Sequence, residues 1–283
     1  MRELRGANAL VTGGAGGLGH YIARALASEG VNLVLSDLPG VPFLDDLTEE
    51  LRSRGIRVEV VHADLTQRAD AEELVGRAEG ALASIDLLVN NAGLEFGGRF
   101  VGNTIDEIES IVAVNLAAVM VLTRQALPGM LKRGRGHVVN IASMAGRTTP
   151  PSLATYVATK HGVVGFTHSL RAEHLGDPVS FSAICPAFVA REGMFGRLES
   201  QLPDPPWFLR PVPPERVGEA VVRAIRDDKA EIIVNSRPLK PLIALSSLAP
   251  GLTVRLANYP WARRFSEEAA RLRGRAEGPP SPP

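Results

Sequence analysis

Short apolar stretches rich in Val, Ile and Leu alternate along the chain with longer stretches of helical periodicity. Seven of them have the length of strands, and they lie at residues 8–13, 31–37, 57–64, 86–93, 136–143, 179–186 and 231–236. Most are apolar nearly throughout, as expected for strands that are covered on both faces. The pattern predicts a doubly wound α/β fold with a mostly parallel sheet.

Glycines and polar residues follow these predicted strands. In a doubly wound sheet the ligand crevice lies at the carboxyl ends of the strands. The residues that stand there are Gly13 to Gly19, Asp37, Asp64, Asn90 to Gly93, Ser143 and Pro186. Their positions predict a binding site at this edge of the sheet.

Two stretches interrupt the alternation. Residues 187–214 are rich in Pro and aromatic side chains, which is typical of a substrate loop or lid. We expect one domain over 1–236 that includes this loop, then a C-terminal extension at 237–275, and a disordered Pro-rich tail at 276–283. The extension could cover a substrate pocket, form a subunit contact or bind a membrane surface, and we favour the cover.

Composition narrows the function classes. The 31 basic and 31 acidic side chains balance, so no net field attracts nucleic acid. The single cysteine, Cys185, excludes an internal disulfide and is expected to be a small buried hydrophobic residue in a reducing compartment. Because we find neither a secretory signal nor an apolar run that could span a bilayer, we expect a cytoplasmic protein. No metal site is predicted.

A glycine-rich stretch, VTGGAGGLG, follows the first predicted strand and opens a helix. Glycines let the backbone approach a pyrophosphate, and the N-terminus of a helix attracts anions. The stretch fits two patterns, Gly14-x-Gly16-x-x-Gly19 and Thr12-Gly13-x-x-x-Gly17-x-Gly19. Either pattern predicts a dinucleotide site.

Asp37 lies 18 residues after Gly19, at the end of the second predicted strand. This spacing is typical of an acid that binds the ribose hydroxyls of adenosine. A carboxylate there would repel the 2′-phosphate of NADP, and neither Gly16 nor Leu38 supplies a compensating cation. The sequence therefore predicts NAD as the cofactor.

Tyr156 and Lys160 stand four residues apart, so in a helix their side chains share one face. A tyrosine with a pKa of about 10 is only about 0.1% ionised at pH 7, and a neighbouring cation favours its phenolate. The pair is therefore a candidate base for taking the proton of an alcohol.

Together these residues resemble the motif set of the classical short-chain dehydrogenases/reductases, in order and approximate spacing, over residues 5–236. The matching motifs are Thr12-Gly13-x-x-x-Gly17-x-Gly19, Asn90-Asn91-Ala92-Gly93, Asn115, Ser143 and Tyr156-x-x-x-Lys160. The resemblance implies a Rossmann fold of about seven strands in the order 3-2-1-4-5-6-7. It also implies an NAD-dependent oxidoreductase acting on CH–OH groups, and a homo-oligomer, either a dimer or a tetramer.

The same resemblance implies roles for several cofactor residues. It assigns Gly13, Gly17 and Gly19 to the phosphates, Asp64 to the adenine edge, Asn91, Ala92 and Gly93 to the cofactor wall, and the backbone of Val189 to the carboxamide. The other predicted cofactor-binding residues are Leu18, Leu65, Tyr156, Lys160 and Pro186.

For catalysis, the resemblance implies that Tyr156 is the base and that Ser143 holds the substrate oxygen, as an oxyanion donor does. Asn115 would relay protons through water. An amide without a partner would be costly in its apolar helix, which also favours a network role. The chain departs from the family pattern where Ala187 replaces the usual Gly and Arg191 stands near the usual Thr.

An apolar set flanks the catalytic residues, and we expect a hydrophobic secondary alcohol and its ketone as substrates. The candidate substrate contacts are Met144, Phe188, Met194 and Phe195, with Glu95 as a polar discriminator. Two alternatives stay open. One is a catalytically silent nucleotide-binding sensor or scaffold, which the intact Ser, Tyr, Lys and Asn set disfavours. The other is an NADP-linked 3-oxoacyl-thioester reductase, which Asp37 disfavours.

Overall fold

The computed structural model describes residues 3–41, 44–190 and 210–237, with further positions at 243–244, 248–249, 251, 254–255, 259–260, 263–265 and 268. Its strands are Asn8–Thr12 (β1), Asn32–Ser36 (β2), Val58–Val60 (β3), Leu87–Asn90 (β4), Gly136–Ile141 (β5), Val179–Pro186 (β6) and Glu231–Val234 (β7). They form one parallel sheet in the order β3-β2-β1-β4-β5-β6-β7. The predicted fold class and strand order are confirmed.

Helices connect the strands and cover both faces of the sheet, as parallel connections require. They are Gly19–Ser28 (α1), Leu44–Arg52 (α2), Arg68–Leu82 (α3), Ile105–Val112 (α4), Ala118–Arg133 (α5), Ala154–Glu173 (α6) and Glu215–Arg226 (α7). A π-helical turn, Ala113–Ala117, joins α4 to α5. Among the described residues, no helix has both the length and the apolar character to cross a bilayer.

Both faces of the central strands are buried. Val11 and Val89 pack on the face that α1, α2 and α7 cover, whereas Leu10 and Leu88 pack on the face that α3 and α5 cover. All four side chains are fully buried. Burial on both faces explains why the strands read as nearly continuous apolar runs, and it leaves the strand ends to carry the polar residues.

Several strands end earlier than predicted. The third ends at Val60 rather than at 64, and the fourth ends at Asn90 rather than at 93. The residues beyond them form loops because their side chains bond to neighbouring loops and turns. The side chain of Asn91 donates to the carbonyl oxygen of Thr12, for example. These loops build the carboxyl edge of the sheet.

Part of the predicted organisation falls outside the described residues. The predicted substrate loop 187–214 is described only at 187–190 and 210–214. Met194, Phe195 and the tail 276–283 therefore lie outside the described residues. The division into a domain over 1–236 and an extension over 237–275 stays a prediction.

Candidate active site

Two glycines of the loop after β1, Gly13 and Gly19, leave no room for a side chain. Gly13 has a φ of +61°, and a Cβ there would lie 3.0 Å from the Cα of Ala92. A Cβ on Gly19 would lie only 1.9 Å from the carbonyl oxygen of Gly13. A Cβ on Gly16 would meet nothing within 4 Å. The loop is tight against the protein at Gly13 and Gly19 and open at Gly16.

This loop delivers the chain into α1, whose first residue is Gly19. Gly17 just before it has a φ of +42°, and Leu18 packs against the core beneath the loop. The first turn of α1 contains no acidic side chain. The positive end of the helix dipole, with no carboxylate in the first turn, suits the pyrophosphate of a dinucleotide.

Asp37 links the end of β2 to the glycine loop. Its Oδ2 atom accepts a hydrogen bond from the backbone N–H of Ala15 at 3.0 Å. Its Oδ1 atom accepts one from the N–H of Leu38 at 3.0 Å. The carboxylate therefore lies beside the glycine loop, and its contact with an adenosine ribose stays a prediction.

Asp64 follows β3, and its side chain is used in its own turn. Its Oδ1 atom accepts hydrogen bonds from the backbone N–H of Thr66 at 2.9 Å and from its hydroxyl at 2.7 Å. The N–H of Asp64 donates to Asp70 at 2.6 Å. Leu65 is half-buried against the core. The turn is held firmly, and the adenine contact of these two residues stays a prediction.

The loop after β4 is fastened to the loop after β1. The amide of Asn91 donates to the carbonyl oxygens of Thr12 and Gly13, both at 3.0 Å. The hydroxyl of Thr12 accepts from the backbone N–H groups of Asn91 and Ala92, both at 3.1 Å. These four bonds fix the two loops as one wall.

Asn115 stands in the π-helical turn between α4 and α5 and is fully buried. Its Oδ1 atom accepts from the N–H of Leu94 at 2.7 Å, and its Nδ2 atom donates to the carbonyl oxygen of Leu94 at 2.8 Å. The hydroxyl of Thr159 lies 3.4 Å from Nδ2. The amide thus holds the loop after Gly93, and the proton relay stays a prediction.

Tyr156 and Lys160 lie one turn apart on α6, and the two residues are only 6% and 5% exposed. The Nζ atom of Lys160 lies 5.6 Å from the centroid of the Tyr156 ring. It donates to the carbonyl oxygen of Ile141, at the end of β5, at 2.9 Å. This bond holds the ammonium beside the phenol ring.

Burial lowers the pKa of Lys160 to about 8, and electrostatic interactions with Cys185 and, to a smaller extent, with Glu95 counteract this lowering. Glu95 follows the loop that Asn115 holds, and its Oε1 atom is shielded from solvent. A Cβ on Gly93 would lie 3.7 Å from the Nζ atom of Lys160. The loop therefore brings one acidic side chain into the neighbourhood of the lysine.

Ser143 follows β5 and caps the short helical turn Met144–Gly146. Its Oγ atom accepts from the N–H of Ala145 at 3.1 Å, and Met144 is buried. A Cβ on Gly146 would lie 2.6 Å from the carbonyl oxygen of Lys160. Close packing at this glycine sets the distance between the serine turn and α6.

The chain after β6 is fixed by β7 and by the segment before α7. Pro186 is the last residue of β6, and the N–H of Ala187 donates to Val234 at 2.9 Å. Val189 is buried and forms a β-bridge with Val212. Ala187 is therefore accommodated where the family pattern has Gly. Arg191 lies outside the described residues.

Phe188 is half-buried in this segment, and its ring meets that of Phe265 at a centroid distance of 5.1 Å. Cys185 is fully buried behind the site, and its burial raises the pKa of the thiol to about 12. The prediction of a small buried hydrophobic cysteine is confirmed.

Sequence reasoning missed two residues that take part in this arrangement. Thr159 is buried between the two motif residues of α6 and lies beside Asn115. A polar residue inside the Tyr-x-x-x-Lys motif was the available signal. Phe265 carries no local signal, because its contact with Phe188 joins distant parts of the chain.

The model of the short chain dehydrogenase family matches residues 7–202. The chain belongs to this family. Membership makes the chain an oxidoreductase with a site for a nicotinamide dinucleotide. This agrees with the structure of the sheet edge, where the glycine loop, Ser143, Tyr156 and Lys160 lie together.

Three relatives illustrate the range of this family. Ketoacyl reductase HetN from a Nostoc species is 34% identical over 278 residues, which is 96% of each chain. A Burkholderia phymatum short-chain dehydrogenase/reductase in complex with NAD is 27% identical, with a TM-score of 0.75, over 92% of this chain and 98% of that chain. A variant of the actinorhodin polyketide ketoreductase with NADPH is 31% identical, with a TM-score of 0.71, over 83% and 98%.

Proposed function

We propose that this family member is an NAD-dependent oxidoreductase that interconverts a hydrophobic secondary alcohol and its ketone. The observation that supports this most is the buried pairing of Tyr156 with Lys160, whose Nζ atom lies 5.6 Å from the ring centroid. An intact set of Ser143, Asn115 and this pair also argues against a silent sensor or scaffold.

The chain's own groups handle the proton. With a pKa of about 8, Lys160 is mostly an ammonium at pH 7 and favours the phenolate of Tyr156. In oxidation the phenolate takes the hydroxyl proton of the alcohol, and in reduction the phenol returns it. The hydroxyl of Ser143 donates to the substrate oxygen as charge develops there. Asn115 keeps the loop at Leu94 in place.

The glycine loop fits a dinucleotide, since its backbone is open at Gly16 and tight at Gly13 and Gly19. When bound, the nicotinamide supplies the hydride acceptor for oxidation and the hydride donor for reduction. Residues assigned to hold it are Gly13, Gly17, Leu18, Gly19, Asp37, Asp64, Leu65, Asn91, Ala92, Gly93, Tyr156, Lys160, Pro186 and Val189.

NAD rather than NADP is favoured by the carboxylate of Asp37, which lies against the glycine loop through Ala15. A 2′-phosphate at this position would face a negative charge. Leu38, the next residue, is apolar and 47% exposed, so it offers no cation to offset that repulsion.

The substrate is expected to be apolar and uncharged. Met144 and Phe188 flank the catalytic turn and the end of β6, and they supply apolar surface. Glu95 adds a carboxylate in the neighbourhood of Lys160, which would repel a substrate that carries its own carboxylate. We expect a neutral hydroxy ester to be oxidised about tenfold more efficiently than the matching hydroxy acid.

A second candidate is the NADP-linked 3-oxoacyl-thioester reductase. Likeness to ketoacyl reductase HetN over 96% of both chains favours it. Asp37 counts against it, because the carboxylate disfavours NADP. The cofactor preference therefore discriminates between the two candidates.

The experiment is a panel of steroid, retinoid and long-chain alcohols with NAD⁺ or NADP⁺, read by the absorbance of the reduced cofactor. A 3-oxoacyl thioester with NADH or NADPH is assayed in parallel. We expect turnover of hydrophobic alcohols with NAD⁺. Thioester reduction with a preference for NADPH would replace this proposal with the second candidate.

A homo-oligomer and a cytoplasmic location also stay predictions. Among the described residues, several exposed apolar side chains lie on α4 and just before it, and a second copy of the chain could cover them. They are Phe100, Val101, Ile105 and Val112. Light scattering of the purified protein tests the oligomer.

A further inference from the structure

We propose that Phe265, which lies in the C-terminal segment, forms part of a wall of the substrate site by packing on Phe188. This inference rests on the proposed function and adds a specificity-determining residue to it. The two rings meet at a centroid distance of 5.1 Å with an interplanar angle of 49°. Tilted pairs at such distances are favourable arrangements of aromatic rings.

Hydrogen bonds fix the backbone on both sides of Phe188. Its carbonyl oxygen accepts from the N–H of Val212 at 2.9 Å, and the N–H of Ala190 donates to the carbonyl oxygen of Val212 at 3.0 Å. Val212 is only 1% exposed. The backbone around Phe188 is therefore fixed to the segment that leads into α7.

This backbone segment follows β6, which is the neighbour of the strand that leads to the catalytic turn. β6 pairs with β5 up to the register Ile141–Ile184, and the N–H of Ala142 donates to Ile184 at 2.8 Å. Ser143 lies two residues after β5 and Phe188 two residues after β6, so both stand at the same edge of the sheet, beyond adjacent strands. We therefore expect a ring packed on Phe188 to border the place where the substrate oxygen would meet Ser143.

Phe265 is half-buried, as Ile243 of the same segment is, and it is less exposed than two other large apolar residues there. Leu248 is 84% and Tyr259 is 66% exposed. The N–H of Arg263 donates to the carbonyl oxygen of Tyr259 at 3.0 Å, a helical bond just before Phe265. The segment thus presents Phe265 to the body of the protein and leaves Tyr259 in solvent.

The wall has a consequence for substrate choice. A short secondary alcohol needs only the groups around Ser143, while a long or bulky one would extend onto the aromatic pair. Removal of the Phe265 ring should therefore affect bulky substrates selectively. In this proposal Phe265 covers part of the substrate site, which favours a cover over a membrane anchor for its segment.

The test compares Phe265→Ala with the matched control Tyr259→Ala from the same segment. We expect Phe265→Ala to lower kcat/KM for a bulky secondary alcohol about fivefold, the scale of one aromatic pair, while a short alcohol and NAD binding are unaffected. Tyr259→Ala should change neither. In a Phe188→Ala background, Phe265→Ala should have little further effect.

Equal losses for short and bulky alcohols, or equal effects of the two variants, would overturn the proposal. The proposal would also be overturned if the protein sediments with anionic vesicles and a chain truncated after Ser236 does not. If no alcohol is turned over, thermal denaturation of the two single variants and the double variant still measures the coupling of the two rings. Additive effects on Tm would then refute the contact, and non-additive effects would support it independently of the reaction.

Discussion

At the cofactor edge of the site, the loops after β1, β2 and β4 bind one another through backbone atoms and short side chains, as Thr12 and Asn91 do. At the proposed substrate edge, the ring of Phe265 packs on that of Phe188. The first edge has little freedom to vary, because glycines and backbone groups define it. Side chains form the second edge, so substitutions there can adapt it to a different substrate.

The largest effect should come from the catalytic pair that stands between the two edges. Tyr156→Phe removes the hydroxyl but keeps the ring, so we expect turnover to fall on the order of 10²-fold or more while NAD affinity is retained. Initial rates and calorimetric titration with NAD measure the two quantities. A variant that keeps the wild-type rate would exclude this tyrosine as the base.

A methyl group at Gly19 should break the cofactor edge. Gly19→Ala would place a Cβ 1.9 Å from the carbonyl oxygen of Gly13, so we expect NAD affinity to fall at least about tenfold and Tm to fall as well. Gly16→Ala is the control, because its Cβ meets nothing within 4 Å. Equal losses in the two variants would mean that the glycine pattern through Gly16 carries the site instead.

The cofactor preference should move when the charge at the end of β2 is reversed. Asp37→Ala combined with Leu38→Arg removes the repulsion of a 2′-phosphate and supplies a cation, so the preference should shift toward NADP by about tenfold or more. Calorimetric titration with both cofactors measures it. An unmodified protein that binds NADP more tightly than NAD would contradict the assignment of Asp37.

The smallest effect is a shift of the pH profile. Above its pKa of about 8, Lys160 loses its charge and no longer favours the Tyr156 phenolate, so the rate should fall on the alkaline side. Glu95 raises this pKa, and Glu95→Gln should therefore move the alkaline limb of kcat/KM to lower pH. The same variant should reduce the preference for a neutral ester over its acid. An unchanged limb would mean that Glu95 does not act on Lys160.

The sequence could predict the parts of each edge that depend on local patterns, but not the contacts that join distant segments of the chain. The strand order, the glycine loop and the spacing of Tyr156 and Lys160 are expressed in local patterns that a parallel sheet brings to one edge. The π-helical turn at Asn115 has no such pattern, because the bonds of its amide go to Leu94 on another segment. The contact of Phe265 depends on the path of the chain after β7.

The transfer of hydrogen between carbon and cofactor offers the most direct measurement. A secondary alcohol from the panel is deuterated at its carbinol carbon and incubated with NAD⁺ and the protein. The mass of the reduced cofactor is then measured by mass spectrometry. The proposed function predicts a reduced NAD that carries the deuterium and a slower single-turnover rate than with the unlabelled alcohol. Reduced cofactor without the label would contradict hydride transfer from the alcohol, as would oxidation of the alcohol with NAD⁺ left unchanged.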